Sequence, residues 1–319
     1  VEFQLIDETL SDTEIQSVGH FELLHEVGRG AGGSVWKARD TKLDRTVAVK
    51  LPRTGGLGST HQNQLLREAQ AVAQLNHPNI VRVHEVGRNA EGIYIVSDFV
   101  SGITLEAKSK SQRMSPRKVA KLLVAVCDAL FHAHQLGVVH RDMKPSNIML
   151  DEEGQPQVID FGLAKRDAVD ATMTIEGKLL GTPAYMPPEQ ARGEGFAVDC
   201  RADIYSLGVI LYELLANELP FRGTVRMLLQ QVIHNAAPDP RTLNSSISKD
   251  LATICLKCLE KDPVARYQSC DELGEDLQAW LDHKAIKARP IGELGRFKRW
   301  CQRRPVVAAL TSLIVFVVL

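Results

Sequence analysis

The sequence predicts an α+β chain in which a strand-rich part precedes a helix-rich part. Two observations carry this. From Phe21 to about Phe99, short runs rich in Val and Ile recur between Gly, Asp and Asn, as strands do. After Gly102 the apolar residues change to helical spacing, with capping residues at the ends of the runs. The cleft between two such parts is where a ligand is expected.

The predicted strands are "HFELLHEVG", "SVWKARD", "TVAVKLP", "IVRVHEVG" and "IYIVSDF". One helix interrupts them, "NQLLREAQAVAQL" at 63–75, with Leu66, Ala69, Val72, Ala73 and Leu75 on one face. In the second part, "SPRKVAKLLVAVCDALFHAHQLG" (115–137) opens on Ser115 as N-cap and Pro116 at the first helical position, and it closes on Gly137. Further helices are predicted at 203–217 and 248–262.

Composition bounds the function. Lys plus Arg (38) balances Asp plus Glu (39), so nothing electrostatic favours nucleic acid as a partner. With 44% hydrophobic and 24% charged residues, the 319-residue chain has the make-up of a packed globular protein. Cys255 and Cys258 form the one C-x-x-C pair, and no second ligand pair follows at zinc spacing. At i and i+3 on a helix they are expected to be buried thiols. At the far end, 306–319 carries no charge, and Arg296, Lys298, Arg299, Arg303 and Arg304 precede it with Trp300 among them. Fourteen helical residues rise about 21 Å, against roughly 30 Å of hydrocarbon, so the run is expected to be the start of a transmembrane helix. Its positive flank marks the cytoplasmic side.

The polar motifs lie elsewhere. "GRGAGGSV", Gly28 to Val35, fits G-x-G-x-x-G-x-V. A dinucleotide-binding loop would lead into a helix, whereas a strand follows here, so the loop suits backbone N–H groups laid over a phosphate chain. Lys50 ends "VAVK", and Glu68 is the one acid between Asp44 and Glu85, which makes Lys50–Glu68 the expected ion pair. "VVHRDMKPSNIML" (138–150) packs His140, Arg141, Asp142, Lys144, Ser146 and Asn147 between apolar flanks, and "VIDFGLAK" brings Asp160, Phe161 and Gly162 after an apolar run.

With "GTPAYMPPE" and "DIYSLG", these motifs occur in the order and spacing of the eukaryotic-type serine/threonine protein kinases found in bacteria, and the chain resembles that family over residues 21–283. The resemblance implies a two-lobed fold with an N-lobe at 21–97, a hinge at 98–102 and a C-lobe at 103–283. Around it, 1–20 reads as a leader, 284–304 as a basic juxtamembrane linker and 305–319 as the transmembrane start. It implies ATP and Mg2+ (or Mn2+) as cofactors. Gly28, Arg29, Gly30, Gly33, Val35, Ala48, Lys50, Ser97, Asp98 and Val100 would line the nucleotide site. Asp142 would orient the substrate hydroxyl and accept its proton, Lys144 would neutralise the transferring phosphate, and Lys50, pinned by Glu68, would hold the α- and β-phosphates. Asn147 and Asp160 would hold the metal. Glu189 with Arg266, and Asp203 beneath the catalytic loop, would be structural; His140 and Phe161 would pack in an apolar column.

Arg141 would sense phosphate on Thr172 or Thr174, with Thr182 kept as an unmodified hydroxyl near the catalytic acid. Partners implied are protein substrates bearing Ser or Thr, the membrane, and a second copy for trans-autophosphorylation. Three positions depart from the family's pattern: Gly32 at the loop tip, Pro187 before Pro188, and Ser97 before the hinge. A non-catalytic nucleotide-binding module would be expected to lack one of Lys50, Glu68, Asp142, Asn147 or Asp160, and this chain has all five. A small-molecule phosphotransferase would not need "GTPAYMPPE", which resembles a peptide-docking segment.

Overall fold

A computed structural model describes residues 17–30, 33–52, 59–89, 92–161, 183–194 and 198–288. Two compact units make up the chain, Val1–Ala73 with Arg82–Phe99, and Gln74–Val81 with Val100–Leu319.

In the first unit, β1 (Ser17–Val18), β2 (Phe21–Gly30), β3 (Gly33–Asp40), β4 (Arg45–Pro52), β5 (Val83–Asn89) and β6 (Gly92–Asp98) form one antiparallel sheet ordered β1-β2-β3-β4-β6-β5. The strand period is visible in β4, where Val47 and Val49 are fully buried and Thr46, Ala48 and Lys50 are not. With Phe21, Leu23, Ala38, Tyr94 and Val96 they make the core of this unit. Asp40 sets the β3–β4 turn by accepting the N–H of Lys42 and Leu43 at 3.1 and 3.1 Å, and Asp44 takes the left-handed conformation (φ 49°). The helix α1 (Ser59–Val72) begins and ends a few residues before the span read from its periodicity, and Ala69 and Val72 are buried among its described side chains.

The second unit holds a small sheet of β7 (Gly102–Thr104), β8 (Ile148–Asp151) and β9 (Pro156–Val158), ordered β7-β8-β9. Its helices are α2 (Leu105–Ser111), α3 (Pro116–Gln135), α4 (Pro188–Ala191), α5 (Cys200–Ala216), α6 (Val225–His234), α7 (Lys249–Cys258) and α8 (Cys270–Leu281). Ser115 caps α3 by accepting the Lys118 N–H, with Pro116 at the first position. α5 starts three residues before the predicted span, because Asp199 caps it by accepting the Arg201 N–H at 2.9 Å. It is buried on nearly all sides, so it serves as the core of the unit rather than as an amphipathic cover. α7 stops at Cys258 instead of running to Asp262, and the carbonyls of Glu260 and Lys261 are taken by the Arg266 guanidinium.

Cys255 and Cys258 are buried thiols, and burial pushes both well above the ordinary thiol range. Beyond α8 the chain stays packed. Ile286 is 2% exposed, and the N–H groups of Lys287 and Ala288 donate to the buried Asp276 carboxylate at 2.6 and 3.0 Å. Among the described residues no helix is long and apolar enough to cross a membrane; the apolar run 306–319 lies outside them.

Candidate active site

The polar knot of 138–150 is organised from below by one carboxylate. Asp203, in the first turn of α5, is fully buried. Its Oδ1 accepts the Arg141 N–H at 2.8 Å. Its Oδ2 accepts the His140 N–H at 2.8 Å and lies 2.8 Å from His134 Nε2. Burial, the largest influence, would raise this carboxyl, but the bond to His134, the electrostatic pull of the His134 and His140 rings and the His140 N–H together hold it below the ordinary carboxylate range. The two backbone bonds also secure Arg141 in the left-handed region (φ 63°), where a non-glycine residue is disfavoured.

His140 carries the geometry upward. Its Nδ1 accepts the Asp142 N–H at 3.3 Å, which leaves Nε2–H to donate to Ile159 O at 3.0 Å. One imidazole thus positions the backbone at Asp142 and the residue before Asp160. Its ring lies 4.7 Å from that of Phe161. Both side chains are buried.

Lys144 Nζ lies 2.9 Å from Asp142 Oδ2. Asn147 closes a one-turn 3-10 segment (Pro145–Asn147) and donates Nδ2 to Asp142 O at 2.8 Å. Its backbone carbonyl accepts the Ile159 N–H at 3.0 Å, tying the loop to the segment that leads into Asp160. Asp160 is exposed and left-handed (φ 57°). Asp142 is therefore a carboxylate held at one oxygen by an ammonium and braced through its own carbonyl by an amide. Such a group can orient a hydroxyl and take its proton.

The remaining predicted residues fall in both units. Gly28, Arg29 and Gly30 on β2 face Val35, Ser34 and Gly33 on β3. At Gly33 (φ 128°) a Cβ would sit 2.1 Å from Leu51 O, so only glycine fits there. At Gly28 a Cβ would meet nothing within 4 Å, so that position is open for another reason. Arg29 pairs with Glu26 at 2.7 and 2.5 Å on the exposed side. Lys50 is half-buried, with Val35 and Ile95 as its neighbours across the sheet. Ala48 lies opposite Lys37 and Ser97, and Asp98 opposite Val47. Glu68 is half-buried on α1. Val100 belongs to the second unit and is half-buried.

Glu189 and Arg266 form a bidentate buried pair at 2.8 and 2.8 Å, and Arg266 also donates to the Arg201, Glu260 and Lys261 carbonyls. Pro187, the N-cap of α4, leaves the pair undisturbed. Gly32, Gly162, Thr172, Thr174 and Thr182 lie outside the described residues. Sequence reasoning missed His134 as a partner of Asp203, and Tyr185, whose hydroxyl donates to Glu213 at 2.6 Å. Each partner lies on a separate element, and no local pattern marks either pair.

The protein kinase domain profile matches residues 21–277. The chain belongs to the protein kinase family. Within that family it is 39% identical over 265 residues to the serine/threonine-protein kinase PknB of Mycobacterium leprae, covering 81% of this chain and 42% of that protein. It is 35% identical over 271 residues to the serine/threonine-protein kinase PrkC of Bacillus subtilis, covering 83% and 41%. The chain thus spans about two fifths of the length of these curated relatives. Among solved protein kinase structures, the Mycobacterium tuberculosis PknI kinase domain shares the fold with a TM-score of 0.66 at 23% identity, over 83% of this chain and 97% of that one.

Proposed function

We propose that the chain is the catalytic domain of a serine/threonine protein kinase that moves the γ-phosphoryl group of ATP to a Ser or Thr hydroxyl of a protein. The observation that carries this is the Asp142 carboxylate, held by Lys144 and Asn147 on a loop anchored to Asp203. In the proposed reaction the hydroxyl oxygen forms a bond to the γ-phosphorus, the bond from that phosphorus to the β-phosphate oxygen breaks, and ADP leaves. The hydroxyl proton goes to Asp142. Lys144 stays beside the transferring group, and Lys50, on the first unit, would meet the α- and β-phosphates.

The donors fit a hard divalent cation. Asn147 commits its Nδ2 to Asp142 O, which turns its amide oxygen to the acceptor role, and Asp160 adds a carboxylate. Two such oxygens suit Mg2+ or Mn2+, which take their remaining ligands from water and phosphate. The bound ion would supply charge neutralisation on the phosphate chain.

The assay is phosphorylation of a generic protein substrate with ATP and Mg2+, read by phosphoamino-acid analysis. Phosphoserine or phosphothreonine is expected. Asp142→Asn and Asp160→Ala should each lower the rate by about 100-fold or more without moving the melting temperature. Full activity in Asp160→Ala would overturn the proposed metal role.

The finer reading adds regulation and location. Arg141, beside Asp142, would be matched by phosphate on Thr172 or Thr174, placed there by a second copy of the chain. The Thr172→Ala/Thr174→Ala double variant should then lose the activity gained on preincubation with ATP. The basic stretch at 284–304 and the apolar run after it would tether the kinase to a membrane from the cytoplasmic side.

A further inference from the structure

Between Glu106 and Asp128 the chain holds six cations, Lys108, Lys110, Arg113, Arg117, Lys118 and Lys121, and no acid, although its net charge is −1. They run from α2 into the first turns of α3. Two of them are used by the fold. Arg113 Nη2 donates to Leu215 O at 3.4 Å and Arg117 Nη1 to Leu281 O at 3.0 Å, which holds the start of α3 against the last turns of α5 and α8. Two more have partners close by: Lys110 Nζ lies 2.7 Å from Glu106 Oε1, and Lys108 Nζ donates to Gln112 Oε1 at 3.0 Å. Lys118 and Lys121 are exposed and have no acidic partner among the described residues.

Helix formation does not favour these two lysines. A helix start suits acids, because the dipole puts positive charge there. α7 and α8 follow this rule, with Asp250 in the first turn of one and Asp271 and Glu272 in the first turn of the other. α3 has no acid in its first turn and carries Arg117, Lys118 and then Lys121 instead. These three are exposed on the outer face, while Val119, Ala120, Leu122 and Leu123 are buried beneath them. The acids on the adjoining helix ends are engaged elsewhere: Asp282 has Lys284 Nζ at 3.0 Å, and Glu213 accepts the Tyr185 hydroxyl at 2.6 Å. Cations set against the dipole and away from acids suit an anionic partner. The course of the chain narrows the choice of partner. It leaves α8 beside Arg117 and runs on to Ala288, and seventeen residues (289–305) then separate Ala288 from the uncharged run 306–319. A segment of that length spans at most about 60 Å.

We propose that the first turns of α3, with the basic stretch leading into them, are a docking face for the anionic headgroups of a lipid bilayer. This rests on the reading of 306–319 as a membrane insert, which keeps the face close to the surface. Each Lys or Arg near an anionic leaflet strengthens binding by about fivefold, and the tether makes that weak attraction intramolecular. The contact orients the second unit on the leaflet and uses none of Asp142, Lys144 or Asn147.

The test mixes the full 319-residue chain with vesicles of phosphatidylcholine alone or of phosphatidylcholine rich in phosphatidylglycerol, and follows flotation. Exposed amines are then acylated briefly and each lysine is read by mass spectrometry. Lys118 and Lys121 should be modified about threefold less on the anionic vesicles than on the neutral ones, with the exposed Lys42 of the first unit alike on both. Salt at about 0.5 M, where charges are screened within a few Å, should abolish the difference. In Lys118→Glu/Lys121→Glu the protection of Lys110 should be lost, while the melting temperature is kept, because acids suit the start of α3. Equal modification of Lys118 and Lys121 on the two vesicles would overturn the docking face, as would protection of Lys110 that persists in the double variant. Flotation separates this from the tether. A chain that floats with neutral vesicles but shows no protection on anionic ones keeps the tether and loses the face. One that floats with anionic vesicles alone, and not as the double variant, keeps the face and loses the tether. Flotation with neither overturns both.

Discussion

Asp203 shows how one buried side chain governs several others. Asp203→Asn keeps the shape but supplies one acceptor oxygen where the carboxylate supplies two. It should destabilise the protein by about 3 kcal/mol and lower kcat with it. The pH dependence has a definite sign. The folded carboxyl lies below its ordinary value, so its stabilisation is complete above about pH 4 and drains away as pH falls through the lower folded value. The gap in urea midpoint between parent and Asp203→Asn should therefore be wide at pH 7 and narrow toward pH 3. Lys261 gives a slope of the same sign in an alkaline window, although here it is the charged form that burial penalises. Burial, then the Arg266 charge, presses its ammonium down to about 8, although Nζ donates to Val232 O at 2.7 Å and faces the Phe221 ring at 4.3 Å. Between that value and the ordinary lysine range the unfolded chain binds more protons, so this group makes stability rise with pH there. Melting curves from pH 7.5 to 10.5 should show the rise in the parent relative to Lys261→Met. At this scale the candidate catalytic groups were legible, because Asp142, Lys144 and Asn147 crowd one short stretch. The partners that aim them were not: His134 meets Asp203 across 69 positions, and no spacing rule reaches that far.

The helices and strands were legible where a capping residue or a Val- and Ile-rich run between turn residues announced them. Ser115 with Pro116, and the Val-rich run of β4, are of this kind. Boundaries slipped where tertiary bonds hold the chain, as past the end of α7, where Arg266 takes the carbonyls of Glu260 and Lys261. Replacing Ser248 with Ala removes the cap of α7 and the acceptor of the Trp280 indole N–H at 2.8 Å. A loss of about 1–2 kcal/mol is expected from urea unfolding. Close packing of α5 on α7 depends on Gly208, where a Cβ would lie 2.5 Å from Cys258 Cβ. Gly208→Ala should cost about 1–3 kcal/mol by overpacking, despite the better helix propensity of alanine.

For the whole molecule, the order of strands before helices was enough to give the α+β class, because hydrophobic period changes with secondary structure. The packed segment after α8 was not readable. Residues 284–288 are short and basic, and Ile286 alone carries an apolar signal for the docking that Asp276 completes. A chain ending at Ala288 keeps those contacts. It should remain monodisperse and retain the parent's melting temperature, whereas the 319-residue chain should sediment with lipid vesicles. Equal recovery of both in the supernatant would remove the tether from the functional reading.

The Glu189–Arg266 pair joins positions 77 residues apart, with both side chains out of water. A ribosome adding roughly 5–20 residues per second makes Glu189 about 4–15 s before Arg266 exists. Through that interval the carboxylate has no counter-charge to accompany it inward, which favours leaving α4 in solvent. Closure of the second unit is thereby timed by translation. Slow codons between the two positions would lengthen the wait and the demand for chaperones.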